Sequence, residues 1–187
     1  MSILVSISLR NAKKCAFSFV KRRFYWQNQH MSRMFRTRGS QLDETSKLII
    51  EQLQEDGRRS YSDIGKAVGL SEAAVRQRVQ KLTESGVMQV VAVTDPMQLG
   101  FYRQAMIGIR CNGDTRSIAE EIAKLPAVDY VVLTGGSFDV LVEVICENDD
   151  ELLDLLNSKI RILPGVTSSE TFVYLRLQKQ LYNWGTR

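Results

Sequence analysis

From residue 42 to residue 86 the apolar positions fall into three short helical registers. The first covers residues 42–55. Leu42, Thr45, Leu48, Ile49, Gln52 and Leu53 trace its inner stripe, Asp43 and Glu44 suit a helix N-terminus, and Asp56-Gly57 is the stop. The second, residues 63–68, turns Ile64, Ala67 and Val68 inward. It ends at Gly69, because glycine tolerates the left-handed conformation a helix C-terminus requires. Leu70 anchors the turn, Ser71 is a good N-cap, and the third register buries Val75, Val79 and Leu82 at i, i+4, i+7 spacing before Gly86 closes it. Two short helices joined by a glycine-containing turn predict a helix-turn-helix, whose second helix usually enters the DNA major groove.

Beyond Gly86 the period changes. Residues 87–95 are apolar and β-branched and predict a strand, a wing or hinge after the third helix; Pro96 breaks it, and residues 97–102 read as a linker. Ala105, Ile107 and Ile109 then alternate as a strand. A helix follows over residues 115–125, with Ile118, Ile122 and Leu125 inward, stopped by Pro126. Strands over 128–134 and 138–145 flank Gly135-Gly136-Ser137. Asn148 caps a helix that runs to Arg161, apolar at Leu152, Leu153, Leu155, Leu156 and Ile160, and residues 169–177 form the last strand. The order βαββαβ is the split ferredoxin-like unit. Its sheet has helices on one face and an open, partly apolar face opposite, which most simply meets another copy.

The fold class is therefore α+β: a basic leader (1–40) without sustained periodicity, a winged helix-turn-helix (41–95), a linker (96–103), a βαββαβ domain (104–180) and a tail (181–187). The leader reads as an extension without a fold; a DNA-contacting arm and an Arg-rich targeting segment are the other readings. No apolar run approaches the roughly 20 residues of a membrane helix. Three scattered cysteines, with no C-x-x-C pair, fit a reducing cytosol rather than a disulfide framework. His30 is the only histidine and has no partner ligand, so neither metal chemistry nor a Ser/His/Asp or Cys/His catalytic group is expected.

Charge changes the picture. The chain carries a net +4, but residues 1–40 hold nine Lys/Arg and no acid, so residues 41–187 carry −5. DNA affinity of the body must come from a local patch. Residues 57–81 supply one, with six basic groups against two acids. On the outer face of the third helix and its approach, Glu72, Arg76 and Gln77 are placed near base edges, and Arg58, Arg59, Arg78 and Lys81 near phosphates; Ser71, Ala73 and Gln80 share that surface. Arg can pair bidentately with guanine and Gln with adenine. An ordinary helical hairpin with a solvated basic face is the competing reading, and the Gly-Leu-Ser turn with its clean inward/outward split favours DNA.

The turn at residues 134–139 carries the second chemistry. Exposed N–H groups of Gly135 and Gly136 can bind a carboxylate, Asp139 can pair with an ammonium, and Thr134 and Ser137 offer hydroxyls. From the residues alone, a tight hairpin that merely needs its glycines is an equal reading.

Taken together the chain resembles the feast/famine regulators, the Lrp/AsnC family of prokaryotic transcription factors. The resemblance rests on Leu42-Asp43, Asp56-Gly57-Arg58, Val68-Gly69-Leu70-Ser71, Arg78-Val79, Leu82 and Gly86-Val87. In the second module it rests on Thr134 through Asp139, Leu163-Pro164-Gly165-Val166 and Thr171. It covers about residues 41–182. It implies a RAM-type second domain and a cytoplasmic regulator that binds double-stranded DNA. It also implies homodimers that assemble to octamers or other higher states, and an amino-acid effector rather than a cofactor. That effector would lie at Thr134, Gly135, Gly136, Ser137 and Asp139, with Thr171 facing it. Gly65 inside a helix, Ser137 and the leader depart from the pattern. The same architecture resembles sirohaem-type decarboxylases, which use histidines this body lacks; a low-specificity architectural DNA-binding protein is the remaining alternative.

Overall fold

The computed structural model describes residues 42–183 and 185–186, so the reading of residues 1–40 lies outside it. The chain divides into two compact units. One is helical, ends at Ala92 and takes in the segment from Lys179; the other is Val93–Gln178.

The helical unit contains α1 (Glu44–Glu55), α2 (Tyr61–Val68) and α3 (Glu72–Glu84). Each starts at a side-chain cap: Asp43 accepts from the Ser46 N–H, Ser60 from Asp63 and Ser71 from Ala74. Ile49, Ile64, Val75 and Val79 form the core, with Leu53, Val68, Leu70 and Met88 packed against it. Burial of each large aliphatic side chain there contributes about 1.5–3 kcal/mol. The inner stripe of α1 is rotated from the expected one. Ser46, Ile49 and Ile50 are buried, whereas Leu48 is 48% exposed, because α1 meets α2 and α3 along its 46-49-50-53 edge. Ala67, expected inward, is exposed.

Residues 88–95 form no strand. Val87, Val90, Val91 and Val93 are all at least half exposed. A strand needs a ladder partner for its backbone groups, and none of the described residues supplies one; the expected wing is thus absent from the single chain. A 3₁₀ turn, Pro96–Leu99, occupies much of the expected linker.

The second unit is βαββαβ: β1 (Arg103–Cys111), α4 (Thr115–Ile122), β2 (Val128–Leu133), β3 (Val140–Cys146), α5 (Asp149–Asp154) and β4 (Val166–Val173). The strands form one antiparallel sheet in the order β2-β3-β1-β4. Register sets Val131, Val142, Ile107 and Thr171 in one row, and the next rows present Gly108 with Leu141 and Met106 with Phe172 on the opposite side. The first face is covered by Ile118, Ala119 and Ile122 of α4 and by Leu152, Leu155, Leu156 and Ile160. After Asp154 the helix widens into a π turn, Leu155–Ile160, which keeps Leu155, Leu156 and Ile160 on the core; Leu153, expected inward, is 56% exposed. β4 begins and ends several residues earlier than its pattern predicts, since the ladder with β1 runs from Ala105↔Val173 to Cys111↔Val166.

The segment expected as a tail returns to the helical unit. The Gly185 N–H donates to Gln54 Oε1 at 3.1 Å and the Thr186 hydroxyl bonds the Glu51 carboxylate, both on α1.

Candidate nucleic-acid interface and ligand site

The helix-turn-helix is held by two glycines of different purpose. Gly69 ends α2 with φ +72, a conformation side chains resist. Gly65 allows close approach: a Cβ there would lie 2.5 Å from the Leu70 carbonyl oxygen. The resulting crossing leaves Ser71, Glu72, Ala73, Arg76, Gln77, Gln80 and Lys81 exposed on α3. Within this group Glu72 Oε1 pairs with the Arg76 guanidinium at 2.8 Å, and that guanidinium lies 5.2 Å from the centroid of the Tyr61 ring. Gln80 donates to Glu84 at 2.8 Å, and the Ser71 hydroxyl is the helix cap. Gly57, Arg58, Arg59, Ser60, Tyr61 and Ser62 line an open groove of about 430 Å³ with Glu72 and Arg76.

Two expected phosphate contacts are drawn elsewhere. Arg78 is half-buried and donates to Asp43 Oδ2 at 2.6 Å and Ser46 Oγ at 3.1 Å, tying α3 to the start of α1. Arg59 binds Gln52 and, at 3.2 Å, Glu55. Arg58, Gln77 and Lys81 have no side-chain partner among the described residues, and Arg58 is exposed beside the groove. Asp43 caps α1 as its position suggests, but its bond to Arg78 and the place of Tyr61 under Arg76 were not legible, because a 35-residue contact and aromatic stacking have no local periodicity.

The Asp43 carboxyl is held down to about 2 by hydrogen bonds from Ser46 and Arg78 and by the Arg78 charge. A depressed carboxylate stabilises the fold above its ordinary value of 3.8, and that contribution is lost as pH falls from about 4 to about 2. Asp43→Asn keeps a capping oxygen but not the charge. Its thermal midpoint is expected below wild type at neutral pH, with the difference closing across that window. A gap that survived at pH 2 would assign the loss to another cause.

In the sheet unit the 134–139 turn is fastened to β1. The Asp139 N–H donates to the Ile109 carbonyl and its Oδ2 accepts from the Cys111 N–H, at 2.9 and 2.7 Å. Burial and the Asp139 charge raise the Cys111 thiol. The Thr134 N–H donates to the Asp139 carbonyl at 2.9 Å and its hydroxyl to the Phe138 carbonyl. Arg110 donates to the Ser137 carbonyl at 2.9 Å and lies 4.8 Å over the Phe138 ring, which meets Phe172 edge-on at 6.1 Å. Beneath that ring is Gly108, where a Cβ would come within 2.6 Å of ring atoms. Arg110, Phe138 and Gly108 escaped the sequence reading, although a lone glycine in a β-branched strand does signal close approach.

Gly135 and Gly136 are exposed, have no positive φ, and a Cβ at either would meet nothing. The turn does not need glycine for its backbone conformation. Thr171 is not brought to the turn by any hydrogen bond: it sits beside Ile107 on the helix-covered side, its hydroxyl buried without a partner. The described residues contain no group of three or more His, Cys, Asp or Glu placed to hold a metal ion. No described helix is long and apolar enough to cross a membrane.

Two family models match the chain. Residues 42–83 match an AsnC-type helix-turn-helix domain, and residues 101–187 an AsnC-type C-terminal dimeric alpha+beta barrel domain. A helix-turn-helix transcriptional regulator of Pyrococcus abyssi is 34% identical over 157 residues, spanning 83% of this chain and 97% of that protein. The regulator FL11 of Pyrococcus horikoshii is 36% identical over 144 residues, spanning 74% and 93%. Among solved structures, E. coli AsnC superposes with a TM-score of 0.66 at 26% identity, over 75% of this chain and 97% of that one. A transcriptional regulator of Neisseria meningitidis in complex with L-Met shares the fold, with a TM-score of 0.67 at 23% identity over 76% and 95%.

Proposed function

The chain belongs to the AsnC/Lrp family of helix-turn-helix transcriptional regulators, and on that premise we propose that α3 reads double-stranded DNA sequence under the control of an amino acid. The observation that carries the DNA reading is the division of α3. Val75, Val79 and Leu82 are buried, while Glu72, Ala73, Arg76, Gln77 and Gln80 are exposed. Gln77 and Arg76 meet base edges, and Arg58 and Lys81 meet phosphates. Arg59 and Arg78 act instead through the helices they hold.

The effector is placed at residues 134–139. Support comes from two glycines the backbone does not require, whose N–H groups have no acceptor among the described residues, beside a carboxylate fixed by Cys111. The Neisseria relative was crystallised with L-Met, which makes an amino acid the first class to try. The occupied form is a homodimer, or an octamer or other higher assembly, built on the open sheet face with Tyr130 and Phe172 exposed. A second copy also supplies a strand for residues 88–95 to pair with. No catalytic step is assigned to this chain, and it works in the cytoplasm.

The test is selection of duplexes from a random library by the full chain, followed by binding at several salt concentrations with and without each amino acid. Gln77→Ala is expected to lower the preference for the selected duplex by about 5- to 100-fold. Arg58→Ala is expected to weaken selected and random duplexes alike and reduce the salt slope by about one. No preference in the wild type would indicate an architectural role instead. No shift with any amino acid would reduce residues 134–139 to a connecting turn.

A further inference from the structure

The groove-facing end of α3 carries an acid where a polyanion is expected to dock. Glu72 stands in the first turn of α3, 52% exposed, and binds the one arginine of that turn's surface, Arg76, which is itself 62% exposed. As an ordinary i,i+4 pair this contributes a few tenths of a kcal/mol. Its chemistry towards DNA is less ordinary. Paired, the Arg76 and Glu72 charges offset each other, so this end of α3 offers phosphate no net attraction. Separated, Arg76 can donate twice to guanine O6 and N7, and Glu72 can accept from cytosine N4. The Tyr61 ring from the start of α2 lies under the guanidinium and keeps it over the groove whichever partner it holds.

Resting on the DNA reading above, we infer that the Glu72–Arg76 pair is a discriminator: it withholds Arg76 from random DNA and opens only at a sequence that satisfies both side chains, with Tyr61 as the positioning residue. Glu72 therefore lowers affinity in general and raises specificity.

The experiment compares the duplex selected by the wild type with a random-sequence duplex across salt concentrations. Glu72→Gln is isosteric and leaves the helix start intact. It is expected to tighten random DNA severalfold, to steepen the salt slope by about 0.9, the signature of one added phosphate contact, and to cut the selected-to-random ratio about tenfold. Glu84→Gln, at the far end of α3, is expected to leave the ratio unchanged. In an Arg76→Ala background Glu72→Gln should lose most of its effect on random DNA. An equal gain in both backgrounds would mean simple removal of a negative charge and would overturn the inference. Tyr61→Phe should match wild type, whereas Tyr61→Leu should lower the ratio about two- to fivefold without adding to Arg76→Ala. A Tyr61→Leu loss that persists without Arg76 would overturn the positioning role. If the wild type prefers its selected duplex and Glu72→Gln keeps the ratio, this inference alone fails; if the wild type shows no preference, the DNA reading fails with it.

Discussion

Gly65→Ala is expected to destabilise the helical unit by about 2 kcal/mol, although alanine is the better helix former. Propensity alone favours alanine by about 0.5–1 kcal/mol. Against it stands a Cβ 2.5 Å from the Leu70 carbonyl oxygen. That oxygen is backbone, and it cannot swing away, because the Leu70 N–H donates at 2.8 Å to the Gly65 carbonyl and fixes the turn from the other side. Overpacking against an immobile neighbour costs about 1–3 kcal/mol and here exceeds the gain. In a unit this small each kcal/mol moves the thermal midpoint by roughly 4–8 °C, so the helical transition should fall by about 10 °C while the sheet transition stays. DNA binding should go with it, since α2 and α3 could no longer cross at the same distance. Gly69→Ala is the control: its positive φ is strained, but its Cβ meets nothing. An unchanged or raised midpoint for Gly65→Ala would show that the turn can relax.

Gly108→Ala is expected to cost the sheet unit about 2–3 kcal/mol, near the upper end for overpacking. Three atoms of the Phe138 ring lie within 2.8 Å of the new methyl group. The ring must leave, and with it go its edge contact to Phe172 and the seat of Arg110, whose other bond holds the Ser137 carbonyl. The turn at 134–139 would remain fastened only through Asp139 and Thr134. Response to an amino acid should therefore fall even in chains that stay folded and still bind DNA. Phe138→Leu costs stability by itself, yet combined with Gly108→Ala it should cost less than the sum of the two. Strict additivity in that cycle would show that ring and methyl group do not compete.

How far the sequence reaches depends on the range of the interaction. The three helices, the Ser71 cap and Gly69 are short-range features, legible in the spacing of the apolar residues and in the turn residues; the Ser60 cap, which starts α2 two residues earlier than expected, was not. The alternation of β3 is legible too, because the helices cover only one face of the sheet; the strand order is not, since β3 and β1 both lie inside the sheet. Side chains bridging distant segments were not legible. Arg78 has the spacing of a surface cation on α3, and only the fold brings it to Asp43. Thr171 was expected to face the effector site, and the register with β1 pairs it with Ile107 on the helix-covered side. A one-residue change of register reverses every side chain in a strand. Residues 87–95 have the composition of a strand, and composition does not state who the partner is.

The bonds from Gly185 and Thr186 to α1 also set an order of events during translation. Residues 42–92 emerge first and hold their own small core, but their last two contacts wait for a segment made about 90 residues later. At synthesis rates of about 5–20 residues per second the interval is roughly 5–20 s. Throughout that time the carboxylate of Glu51 and the amide of Gln54 face water, and the nascent helical unit is weaker than the finished one.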